Sequence, residues 1–107
     1  MKFMYLKGKD KVVTLGYIWD RETQRVRLTP IATCNLKEDS FCRKIGRLAV
    51  TGRANKYGMM GYSFKASSWR EIHYRLVAAY HPDKKNRNAA WEKLRSEFGQ
   101  IKEEQPF

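Results

Sequence analysis

Twice between Lys11 and Thr29 the chain alternates apolar and polar residues at a period of two, on either side of a short polar break. In Lys11-Val12-Val13-Thr14-Leu15-Gly16-Tyr17-Ile18-Trp19, the residues Val13, Leu15, Tyr17 and Trp19 fall on one face of an extended strand. Residues 20–24 have the length and polarity of a turn. Arg25-Val26-Arg27-Leu28-Thr29 then alternates again, with Val26 and Leu28 inward and the arginines outward. Two alternating runs around a polar turn make an antiparallel hairpin. Phe3 to Leu6 offers a third, shorter strand, and Pro30 limits the second run because proline has no N–H to give to a ladder.

Beyond residue 33 the period changes to that of helices. Lys37-Glu38-Asp39-Ser40 sets two acids and two potential caps ahead of Phe41, Ile45 and Leu48, which recur at i, i+4 and i+7 on one stripe. Arg43, Lys44 and Arg47 lie away from that stripe, so a basic amphipathic helix is predicted. Gly46 and Gly52 weaken it by up to about 1 kcal/mol each relative to alanine, which leaves tertiary packing to hold it. Residues 51–58 read as a turn or loop, and residues 59–64 fit either a short strand or one helical turn. Ser68 and Glu71 have capping-box spacing. Trp69, Ile72, His73, Leu76, Val77 and Tyr80 then form a helical stripe that ends before Pro82, with Arg70 and Arg75 on its flank. After Lys84-Lys85-Asn86-Arg87-Asn88, a last helix carries Trp91, Leu94, Phe98 and Ile101 on one face and a Lys93–Glu97 pair on the other.

The fold expected is therefore α+β: an N-terminal antiparallel hairpin or three-stranded sheet with three helices. Residues 1–107 form a single small domain, with 1–33 as its β part and 34–107 as its helical part. Hydrophobic residues at 42% and aromatics at 13% are enough for a packed core. No apolar run approaches the roughly 18–20 residues that span a bilayer, and the first residues are broken by charges. A non-membrane, cytoplasmic protein is expected, with two cysteines too few for a disulfide scaffold.

Charge is the most informative functional signal. The chain carries 22 lysines and arginines against 11 acids, for +11. Residues 41–80 hold 8 of the cations and a single acid, Glu71. A positive segment of this density is drawn to polyanions, since each neutralised phosphate releases counterions, and nucleic acid is the commonest polyanion of a cytosol. Arg43, Lys44, Arg47, Arg53, Lys56 and Lys65 are the candidate contacts to a DNA or RNA backbone, with little base readout; the plainer alternative is a solvated charged face. Tyr57 or Tyr62 either stacks on a base or, more plainly, plugs the core.

The residues that do chemistry are sparse. His73 and His81, and likewise Cys34 and Cys42, are each separated by seven residues, against the two to five typical of zinc ligands. No metal site and no cofactor is predicted, and Cys42 reads as core. No nucleophile elbow, phosphate-binding glycine loop or paired-carboxylate spacing occurs, so a non-enzyme is expected.

Two segments resemble known families. Leu76-Val77-Ala78-Ala79-Tyr80-His81-Pro82-Asp83-Lys84-Lys85 resembles the end of helix II and the following loop of a J-domain, whose His-Pro-Asp stands here as His81, Pro82 and Asp83. Residues 57–63 are similar to that family's first short helix and loop, and residues 89–94 to the start of its helix III. This resemblance, over residues 57–101, implies a cochaperone module that stimulates a heat-shock ATPase chaperone, with Arg70, Arg75, Lys84 and Lys85 docking on its acidic surface. The plain reading of the same tripeptide is a helix stop followed by a turn. Residues 34–47 resemble a segment of small accessory proteins of tailed phages, which implies a phage or mobile-element protein working in a bacterial host cytoplasm. The functional expectation is a basic, nucleic-acid-binding accessory protein. The alternatives are the J-like module and an inhibitor that clamps an acidic host or defence protein with the same basic face.

Overall fold

The computed structural model describes residues 1–60 and 63–99. In chain order its elements are β1 (Lys2–Lys7), β2 (Lys11–Asp20), β3 (Arg25–Leu28), β4 (Ala32–Asn35), α1 (Arg43–Tyr57), β5 (Ser63–Lys65), α2 (Trp69–Tyr80) and α3 (Lys84–Phe98). The fold is α+β, built on a five-stranded antiparallel sheet.

The ten-residue β2 organises the sheet. One edge takes all of β1, from Lys2 opposite Tyr17 to Lys7 opposite Val12. The other edge is shared: residues 17–20 pair with β3 and residues 11–14 with β4. The change of partner falls at Gly16, whose N–H donates to Thr29 Oγ1 at 2.8 Å while its carbonyl accepts from Thr29 N–H at 2.9 Å. Pro30 follows directly, which explains why β3 stops at Leu28 and the chain re-enters the sheet as β4. β5 completes the sheet against β3, with Phe64 opposite Val26. β4 runs past residue 33 into the part expected to be helical, and β5 overlaps the end of residues 59–64, where a short strand is one of the two readings. At four and three residues they show no periodicity long enough to read.

Alternation along β2 assigns each sheet face to a different helix. Val13, Leu15 and Tyr17 join Leu6, Val26, Leu28 and Phe64 beneath Ile72 and Leu76 of α2, and this is the main core. The other face carries the fully buried Val12 and Thr14 under α1. α3 folds back on α2, closing a second small core of Ala78, Ala90 and Leu94.

Several expectations need correction. α1 runs unbroken to Tyr57, through the stretch that reads as a loop in sequence. It begins after Cys42, an exposed residue, and not after residues 37–40. α3 starts at Lys84, because Asp83 in extended geometry takes the N-cap position and its carbonyl accepts from the N–H groups of Asn86 and Arg87. On α2 the stripe is rotated: Trp69 and His73 are exposed, while Arg75, expected on the flank, is 7% exposed. The Ser68 hydroxyl accepts from Glu71 N–H as a capping box requires, but the Glu71 carboxylate accepts from Ser67 N–H and Oγ–H, one residue further back. Lys93 and Glu97 do not pair, since Glu97 bonds Arg70 and Arg95 bonds Glu92. Ile101 and Tyr62 lie outside the described residues.

Candidate functional site

α1 is the feature in which sequence and structure diverge most. Its buried residues are Gly46 and Val50, not the stripe of Ile45 and Leu48, which stand 66% and 63% exposed. The reason is size. A Cβ at residue 46 would lie 2.5 Å from Thr14 Oγ1 and 3.2 Å from Thr14 Cβ, so only glycine lets the helix axis approach β2 this closely. A small residue set against a small side chain seats the helix, and the larger aliphatics are turned outward.

That rotation decides where the cations stand. Five of the six predicted contacts, Arg43, Lys44, Arg47, Arg53 and Lys56, lie on α1, a segment with no acid in its 15 residues. Three of them are positioned by neutral groups. Arg43 stacks over the Tyr5 ring at 4.9 Å, and Arg47 donates to the Tyr5 hydroxyl at 3.0 Å. Arg53 donates to the Ile31 carbonyl, which orients its guanidinium without cancelling its charge. The ion pairs among the described residues join Lys37 to Asp10, Arg70 to Glu97, Arg75 to Glu71 and Arg95 to Glu92; none involves α1. Lys65, the sixth, is set apart on β5, opposite Arg25. Tyr57 is 71% exposed with Lys56 over its ring at 5.3 Å, so its core reading is corrected.

Cys42 sits at the head of this helix. Its thiol is held below the ordinary range by the backbone N–H groups of Ile45 and Lys44, and then by the charges of Lys44 and Arg47. It is exposed, which corrects the expectation of a core cysteine. Both cysteines line a cleft of about 320 Å³ between α1 and β4, together with Thr14, Asp39 and Arg53.

The His-Pro-Asp turn is built differently. It is the whole connection between α2 and α3, with His81 at 8% exposure. Asp83 N–H donates to His81 Nδ1 at 3.0 Å, and Arg87 donates to the His81 and Pro82 carbonyls at 2.7 and 3.1 Å. The Asp83 carboxylate accepts from Lys9 N–H at 3.0 and 3.3 Å, so the tripeptide fastens the β1–β2 turn to the helical hairpin. Pro82 and Asp83 press so closely on Gly8 that a Cβ there would meet both at 2.7 Å. Among the other residues of the J-like reading, Arg70 is paired with Glu97 and Arg75 is buried against Glu71, whereas Lys84 and Lys85 are exposed. Residues 57–63, which the resemblance makes a short helix and its following loop, contain the end of α1 and the start of β5.

His73 and His81 do share an open cleft of about 420 Å³ with Tyr5, Lys7 and Lys93, a convergence their spacing does not reveal. Among the described residues, no group of three or more His, Cys, Asp or Glu side chains is placed to hold a metal ion. Likewise, no helix there is long and apolar enough to cross a membrane. No protein-family model, curated protein or solved structure matches this chain.

Proposed function

We propose that this chain is a non-catalytic nucleic-acid-binding module whose contact surface is the outer side of α1. One observation carries the reading: five cations on a 15-residue helix with no acid in it and, among the described residues, no ion pair to any of them. Charges left unpaired in one place, three of them held by tyrosine or backbone partners, attract a polyanion at little ordering cost. Asp10, Glu71, Glu92 and Glu97 pair elsewhere, on the β1–β2 turn, α2 and α3. His81, Pro82 and Asp83 enter this reading only as a joint of the fold. An accessory role in a phage or mobile element is the setting that the resemblance of residues 34–47 favours.

The test is a salt titration of duplex DNA binding. If all five α1 cations meet phosphates, log K falls against log salt with a slope of about −4.5, and Arg43→Gln with Lys44→Gln makes it shallower by about 2. Lys84→Gln with Lys85→Gln removes the same charge from α3 and serves as the control. Equal losses in the two double variants would show a diffuse charge effect and sink the proposal for α1.

A further inference from the structure

Resting on the nucleic-acid reading, we infer that α1 is a groove-reading helix, which lies in the major groove of duplex B-DNA with Ile45 and Leu48 against thymine methyl groups. The rotation that buries Gly46 sets the outer face. At 3.6 residues per turn, Ile45, Leu48, Gly52 and Asn55 share the side of α1 opposite buried Gly46 and Val50. This midline is uncharged. Its first half presents two large aliphatic side chains, more than 60% exposed. Its second half is open, with nothing within 4 Å of a Cβ at Gly52 and an exposed Asn55 beyond it.

Cations border the midline on both sides. Lys44 and Arg47 lie on one side, Arg47 fixed by the Tyr5 hydroxyl, whereas Arg43 leaves the helix on its sheet-facing half and stacks over the Tyr5 ring. Lys56 lies on the other, while Arg53 leaves the helix close to buried Gly46 and is held at the Ile31 carbonyl. Lys44 and Arg47 on one side and Lys56 on the other, with an uncharged ridge between them, suit a groove bordered by phosphates on both sides. The dimensions agree: a helix about 10–12 Å across enters a groove about 12 Å wide. Fifteen residues give about 22 Å of contact length. The sheet lies behind the helix, so its outer side is available along that length.

The midline chemistry selects base edges over bare backbone. Phosphates offer nothing to an isoleucine or a leucine, whereas the thymine C5-methyl is the apolar group of the major groove, and asparagine pairs with an adenine edge there. A-form RNA closes its major groove to side chains, so duplex RNA is excluded as the fitted ligand. A second copy of the chain is disfavoured because two α1 faces would set like charges against each other. Two aliphatic side chains are also a small apolar centre for a protein interface, whose buried core is depleted in charge.

The experiment compares the full chain on thymine-rich duplex DNA, the same duplex with uracil in place of thymine, the matching RNA duplex and the single strand, by fluorescence anisotropy at fixed salt. Removing the methyl groups is expected to weaken binding by about four- to fifteenfold, for one or two methyls that no longer meet an aliphatic side chain. Ile45→Ser with Leu48→Ser, at exposed positions that leave the core intact, is expected to bind the thymine and uracil duplexes equally. It should keep the wild-type salt dependence. If wild type binds both DNA duplexes equally, or binds duplex RNA as tightly as DNA, the groove assignment is overturned while phosphate binding stands. Absence of salt-dependent binding to every nucleic acid, with binding to polyglutamate instead, would overturn both readings and leave an acidic protein as the partner of α1.

Discussion

Two glycines in one helix should respond to the same substitution with opposite signs. Replacing glycine by alanine inside a helix contributes about 0.5–1 kcal/mol of stability, through propensity and a stiffer unfolded chain. At Gly52 nothing stands within 4 Å of the new methyl, so Gly52→Ala should gain that amount in full. At Gly46 the methyl arrives 2.5 Å from Thr14 Oγ1, well inside the 3.4 Å at which ordinary contact begins. Thr14 has little room to yield: it is β-branched, 1% exposed and central in β2. Forcing α1 off the sheet is an overpacking change of about 1–3 kcal/mol, larger than the propensity gain. The expected net is a loss of up to about 2 kcal/mol, and a gap between the two variants equal to the overpacking cost, about 1–3 kcal/mol. Urea and thermal denaturation would read this directly, since each 1 kcal/mol moves the Tm of a domain this size by about 4–8 °C. Adding Thr14→Ala to Gly46→Ala should recover most of the loss, a coupling that only contacting residues show. If Gly46→Ala stabilises as much as Gly52→Ala, α1 is not seated through Gly46. The outward placement of Ile45, Leu48 and the flanking arginines would then fail with it.

Other perturbations address the rest of the molecule. Asp83→Ala removes the acceptor for Lys9 N–H and should cost about 1–2 kcal/mol in chemical denaturation without changing the salt dependence of DNA binding. Arg75→Ala leaves the Glu71 carboxylate nearly buried without its cation and should cost about 3 kcal/mol, far more than Arg95→Ala at the exposed Arg95–Glu92 pair. The Cys42 thiol, held low chiefly by the N–H groups of Ile45 and Lys44, should react with iodoacetamide with a pH midpoint below that of an unstructured cysteine peptide; an equal midpoint would contradict that helix-head geometry. Burial pushes the Tyr80 hydroxyl from 10.0 up to about 12, so the folded chain keeps a proton that the unfolded chain loses. Stability should therefore fall as pH rises from about 10 to 12, and Tyr80→Phe should flatten that fall.

The parts of this fold legible in the sequence are those where burial and side-chain character agree. Val13, Leu15 and Tyr17 alternate because one sheet face is apolar, and Ser68 with Glu71 marks the start of α2 because the cap is a local hydrogen bond. Legibility fails where packing is decided by shape. Gly46 is buried because it is small, a property that hydrophobic periodicity does not register, so periodicity points to Ile45 and Leu48 as the packed face instead. Arg75 misleads in the opposite sense, because its partner Glu71 one turn earlier and the Phe64 ring at 5.3 Å allow a cation to be buried. The α1 cations are identifiable as a group from composition alone. Which of them face outward depends on which residue touches Thr14, which only the tertiary structure determines.

Amide chemical-shift mapping of the full chain, during titration with a short thymine-rich DNA duplex at physiological salt, would locate the contact surface outright. The largest shifts are expected on Lys44, Leu48, Gly52 and Asn55 along the outside of α1, with His81 to Lys85 nearly unmoved. Shifts concentrated on the α2–α3 turn, or spread evenly over every basic surface, would refute α1 as the nucleic-acid-binding face.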